Sequence, residues 1–195
     1  MKASSDDVKK LREITGAGMM VAKKALEEAE NFEAARVLLR KKGQATLAKK
    51  STRAAKEGLI VSYVHAGGKV GVLLELNCET DFVARNEEFK KLADELALQI
   101  AAVNPSFISR EEVPQDMVEK EKEIYLEQIK DKPENVRAKI VEGKLDKFYE
   151  EVCLLEQVWV RDQDKKIKDL IAEQVNKLGE NIQVRRFTRF ALGSQ

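Results

Sequence analysis

Two spacings of apolar residues run along this chain, and the change from one to the other divides it. Val8, Leu11 and Ile14, with Thr15, recur at helical intervals behind Ser4 or Ser5, either of which can cap a helix. The glycines of Gly16-Ala17-Gly18 then break the pattern. A second helix starts near Met19 and carries Ala22, Ala25, Leu26 and Ala29 at i, i+3, i+4 and i+7. Asn31 stands where it can cap a third helix bearing Ala35, Leu38 and Leu39. Small residues dominate these stripes, so the three helices can pack closely into a head.

Beyond the head the period falls to two. Leu59, Val61 and Tyr63 alternate with Ile60, Ser62 and Val64, Ala66-Gly67-Gly68-Lys69 supplies a turn, and Val70, Val72, Leu74 and Leu76 line one face of a return strand. A helix from about Asn86 then directs Phe89, Leu92, Ala93, Leu96 and Ile100 toward a core. Between strand and helix lies the loop Cys78-Glu79-Thr80-Asp81-Phe82-Val83-Ala84-Arg85.

Residues 106–151 are charged and helical in character, with Pro114 and Pro133 at helix starts and Val136, Ile140, Leu145 and Phe148 on an apolar face. Ile167, Leu170, Ile171, Val175 and Leu178 mark a further helix that ends near Gly179, and residues 182–192 alternate as a closing strand. The reading is an α+β fold: a helical head, then an antiparallel sheet covered by helices. No internal repeat is evident.

Composition narrows the chemistry. Thirty-five lysines and arginines nearly cancel thirty-four acidic residues, so no global field recruits a nucleic acid or a membrane surface. No apolar run approaches the roughly 20 residues that span a bilayer, and the first residues lack a signal-peptide core, which points to the cytoplasm. Cys78 and Cys153 are isolated and His65, inside a strand pattern, is the single histidine, too few ligands for a structural zinc site and too little for a nucleophile–base pair. The expectation is therefore a protein without metal, cofactor or catalytic residues. No P-loop, dinucleotide fingerprint or nucleophile elbow suggests an enzyme.

Residues 40–56, RKKGQATLAKKSTRAAK, contain no acid and weak apolar periodicity. They read as a partly helical linker. The alternative is an RNA-associated adaptor using this basic stretch, since clustered cations release counterions from phosphates. The segment holds no aromatic residue to stack on a base and no glycine-rich phosphate cradle.

Three blocks carry a family resemblance: VKKLREITGAGMMVAKKALEEA at residues 8–29, ELNCETDFVARNEEF at 75–89 and KPENVRAKIVEGKLDKFYEE at 132–151. They resemble, in order and spacing, the signatures of the elongation factor Ts family, and the head resembles a ubiquitin-associated three-helix bundle. That scaffold leaves a ubiquitin-binding-like interaction module as another reading. The family resemblance implies guanine-nucleotide exchange on elongation factor Tu. It also implies roles: Thr80, Asp81, Phe82 and Val83 would disturb the partner's magnesium and phosphate site, while Lys9, Leu11, Arg12, Gly16, Ala17, Gly18, Met19 and Met20 would form the docking head. On the residues alone, Phe82 reads instead as tucked under the following helix with Asp81 helping to cap it, and Leu11 and one methionine would more often be core. The chain is shorter than two-subdomain relatives, so the resemblance also implies a homodimer paired through its sheets. The expected division is a head over residues 1–50, a basic linker over 51–57 and an α+β body over 58–195.

Overall fold

The fold was analysed in a computed structural model that describes residues 3–194. It is mixed helix and antiparallel sheet, in the order α1 (Ser5–Thr15), α2 (Met19–Glu28), α3 (Phe32–Lys50), β1 (Glu57–Val64), β2 (Val70–Cys78), α4 (Asp81–Ala84), α5 (Glu87–Val103), α6 (Gln115–Gln128), α7 (Glu134–Val152), β3 (Val158–Trp159), β4 (Asp162–Lys166), α8 (Ile167–Leu178) and β5 (Gln183–Ala191). These elements divide into two compact units, one built from residues before 99 and after 167, the other from Gln99–Ile167.

Local chemistry sets the ends of the head helices. Ser4 Oγ accepts the Asp7 N–H at 3.0 Å, and Asp6 and Asp7 place negative charge at the dipole's positive end. Gly16 closes α1 at φ +66°, a left-handed cap that a side chain rarely adopts, and its N–H reaches Arg12 O at 2.8 Å. Asn31 Oδ1 accepts from Ala34 N at 2.9 Å and so caps α3, which runs through the basic stretch as far as Lys50. Val8, Leu11, Ala22, Ala25, Leu26, Ala35 and Leu39 form the head's core, where small residues let the helices approach. Ile14 departs from the expected stripe and is exposed, while the half-buried Thr15 donates its hydroxyl to Leu11 O.

The head is joined to α8 and the loop after it by specific bonds. Arg40 pairs with the buried Asp169 of α8, and Lys50 Nζ donates to Gly179 O at 2.6 Å.

The sheet order is β1-β2-β5, all antiparallel. Leu59 pairs with Leu76, Val61 with Leu74 and Tyr63 with Val72, so the inward residues stack in register. Gly58 is required where β1 begins: at φ +146° an added Cβ would lie 2.2 Å from Leu76 O. Phe89, Leu92, Ala93 and Leu96 of α5 and Leu170, Ile171 and Val175 of α8 are buried with Val72, Leu74 and Leu76. The opposite face carries Ile60, Val64, Leu73 and Phe190, all at least half exposed. His65 lies just past β1, exposed, with Nδ1 3.0 Å from the Tyr63 hydroxyl.

In the second unit α6 and α7 pack together, started by Pro114 and Pro133 at their N-caps. Val113, Val118, Phe148 and Cys153 make a small core with Leu145 and Tyr149 against it. Val136 is exposed and Val141 is buried, since α7 presents the latter's turn inward. The β3–β4 hairpin, unsuspected from the sequence, is held by Gln99, whose Oε1 accepts Val160 N at 2.9 Å and whose Nε2 donates to Val158 O at 3.0 Å. Glu156 sits between Arg110 (3.1 Å) and Lys166 (3.5 Å), a buried carboxylate flanked by two cations.

Candidate functional site

The loop between β2 and α5 is shaped by a chain of caps. Cys78 ends β2 fully buried, and its Sγ donates to Thr80 O at 3.1 Å. Burial, followed by the charge of Glu180, pushes this thiol up to about 11. Thr80, in extended backbone, is the N-cap of the one-turn helix α4: its Oγ1 accepts from Val83 N, and Ala84 N bonds to Thr80 O at 3.2 Å. The capping residue is thus Thr80 and not Asp81, which instead pairs with Arg85 at 3.0 Å. Asn86 then begins α5 by accepting from Glu88 N at 2.8 Å.

This turn displays Phe82. The ring is 82% exposed, so it does not tuck under the following helix. Water contact over most of a phenyl ring is unfavourable by roughly 1.5–3 kcal/mol relative to burial. Thr80, Asp81 and Val83 are half-buried around it.

A second carboxylate, missed by sequence reasoning, supports the turn from the loop after α8. Glu180 Oε2 accepts the Glu79 and Thr80 amides, each at 3.0 Å, and Oε1 accepts the Thr80 hydroxyl at 2.6 Å. Glu79 answers in kind: its Oε1 accepts Asn181 N at 2.6 Å and meets Arg53 at 3.5 Å. Nothing local in the sequence marks Glu180, because its partners lie about a hundred positions earlier.

Of the head residues, Lys9, Arg12, Gly18, Met19 and Met20 are exposed, Gly16 and Ala17 are half-buried, and Leu11 is fully buried. Leu11 therefore offers no surface and serves the head's core. Both methionines are outside, at 53% and 63% exposure, and Ile14 and Val21 extend this apolar edge on either side of the glycine turn.

The chain matches the family model described as "Elongation factor TS" over residues 6–194. It is 60% identical to elongation factor Ts of Thermotoga neapolitana over 196 residues, covering all of both chains. It is 60% identical to that of Thermotoga maritima, over 99% of this chain and 98% of the relative, and 60% identical to that of Thermodesulfovibrio yellowstonii over the same shares. With these likenesses, the helical head and antiparallel sheet belong to a translation elongation factor. The chain belongs to the elongation factor Ts family.

Proposed function

We propose that the chain is a guanine-nucleotide exchange factor that binds elongation factor Tu carrying GDP and promotes release of the nucleotide. The observation that carries the reading is Phe82, an exposed apolar ring on a backbone anchored at Thr80. In this proposal the ring and Asp81 enter near the partner's magnesium and phosphate site, where the ring holds the site open and the carboxylate redirects hydrogen bonds. The exposed edge at Met19 and Met20, with Lys9 and Arg12, docks the head.

Such a factor works by coupling. If it weakens nucleotide binding, nucleotide weakens its binding by the same factor, each tenfold being about 1.4 kcal/mol. It performs no bond chemistry, needs no cofactor or metal of its own, and leaves the choice between GDP and GTP to their concentrations. The proposed setting is the cytoplasm; no helix among the described residues is long and apolar enough to cross a membrane.

Division of labour follows the proposed segments: residues 1–50 dock, 51–57 connect, and 58–195 carry the Phe82 turn and the sheet. The outer sheet face supports pairing of two copies, because Ile60, Leu73 and Phe190 leave an apolar layer uncovered. An RNA-associated role for residues 40–56 is less favoured. Arg40, Lys42 and Lys50 direct their charge to Asp169, Glu28 and the Gly179 carbonyl. The decisive experiment is stopped-flow release of fluorescent GDP from elongation factor Tu, with and without the chain. An unchanged release rate at saturating factor would refute the proposal.

A further inference from the structure

Residues 179–183, the loop after α8 and the first residue of β5, bond both to the Phe82 turn and to the chain where the head ends and the linker begins. Through Glu180 they hold the Phe82 turn, taking up the Glu79 and Thr80 amides and the Thr80 hydroxyl. Through its neighbours they hold the junction of head and linker. Asn181, fully buried, donates from Nδ2 to Arg53 O at 2.8 Å, Gln183 Nε2 donates to Ser51 O at 2.8 Å, and Lys50 donates to Gly179 O.

Helix α4 cannot orient itself. It is a single turn of four residues, and Val83 N reaches the Thr80 hydroxyl at a long 3.4 Å. An isolated turn of this length is unstable in water, because nucleation fixes several dihedrals for few hydrogen bonds. Phe82, exposed, adds little packing to hold it. α4 lies against β1 and β2 and leads into α5, and the bonds at Thr80 fix its first turn, and with it the direction in which the ring points. Three of Thr80's and Glu79's donors end on one carboxylate.

We propose that Glu180 is the positioning residue of the Phe82 turn, and that Glu180 and Asn181 together set that turn and the linker after the head on one support. This rests on the exchange-factor reading above. Glu180 touches neither nucleotide nor partner in this assignment; it acts by keeping the ring in the orientation that opens the partner's site. A rigid contact group loses less entropy on binding, and a small misplacement of such a group is costly.

The test uses the full chain with Glu180→Ala, Glu180→Gln, Phe82→Ala and the double variant Glu180→Ala/Phe82→Ala. Amide hydrogen exchange of the free protein is read beside GDP release from elongation factor Tu. In Glu180→Ala the amides of Glu79 and Thr80 should lose protection while those of Leu74 and Leu76 keep theirs. The maximal release rate should fall by about tenfold or more, with a much smaller change in the factor concentration giving half that rate. Glu180→Gln keeps an acceptor for both amides and can donate to the Thr80 hydroxyl, so it should recover most of the rate. The double variant should be no slower than Phe82→Ala alone, since both remove one action.

Unchanged protection at Glu79 and Thr80 would overturn the proposal, as would a wild-type maximal rate in Glu180→Ala or defects that multiply in the double variant. Should Glu180→Ala fail to fold, Glu180→Asp withdraws the carboxylate by one methylene and carries the same comparison. If Phe82→Ala itself releases GDP at full rate, it is the wedge reading that fails; the exchange data still decide whether Glu180 holds the turn.

Discussion

The Thr80 hydroxyl donates a 2.6 Å hydrogen bond to Glu180 Oε1, and the Thr80 amide donates to the other oxygen of the same carboxylate. The residue that caps α4 is thereby tied to the segment leading into β5. A surface loop that carries an exposed ring would ordinarily be among the more mobile parts of a fold. Here its first residue is anchored three ways, counting the Cys78 thiol that donates to the Thr80 carbonyl.

Replacing Phe82 by alanine should leave stability within about 0.5 kcal/mol of wild type, because the ring is already 82% exposed. The same change at the buried Phe89 should cost about 3–5 kcal/mol. Thermal melts check both. In the release assay Phe82→Ala should remain slow at saturating factor, and Asp81→Ala should behave alike with its defect partly masked at low magnesium. A folded Phe82→Ala with full maximal rate would make the head the active element.

Met19→Ala with Met20→Ala removes two exposed side chains and should likewise leave the melt unchanged. The head's proposed part is docking, so the factor concentration for half-maximal release should rise while the maximal rate stays. A fall in the maximal rate with no change in that concentration would contradict the division between docking and prying.

Light scattering should give twice 22.1 kDa at the micromolar concentrations of exchange assays, with or without reductant, since Cys78 and Cys153 are both free and buried. Leu73→Lys places a charge in the middle of the exposed sheet face and should yield a folded monomer. A wild-type monomer at that concentration, or a Leu73→Lys dimer, would remove the sheet face from the interface.

Burial, above all, pushes both thiols up to about 11 from the usual 9.0. Between those values the folded chain keeps protons that the unfolded chain has released. Stability contributed by the two thiols is therefore intact below about pH 9 and is lost as pH rises toward about 11. Urea midpoints measured across that range should fall, and fall less in Cys78→Ala. Rapid alkylation of Cys78 in the native protein near neutral pH would contradict its burial.

Much of this fold was legible because its signals are local. Ser4, Gly16 and Asn31 announce the head helices through caps that act within four residues, and the alternation around Gly67-Gly68 specifies the hairpin. Ile14 and Val136 illustrate the limit: helical spacing places residues on a face, but packing decides how wide the buried stripe is, and both fell outside it. The two-residue strand β3 has too few positions to show a period, and its support comes from Gln99, far away in sequence.

The sequence by itself determined the head helices, the order of β1, β2 and β5 and the family signature, since each rests on neighbours or near neighbours along the chain. Only the tertiary structure decided that Phe82 and both methionines of the head point into water, that Leu11 does not, that β3 and β4 form a hairpin, and that Glu180 anchors Thr80. Those outcomes depend on which distant groups meet and which remain uncovered, and a carboxylate reveals nothing of its donors until the chain has brought them within hydrogen-bond reach.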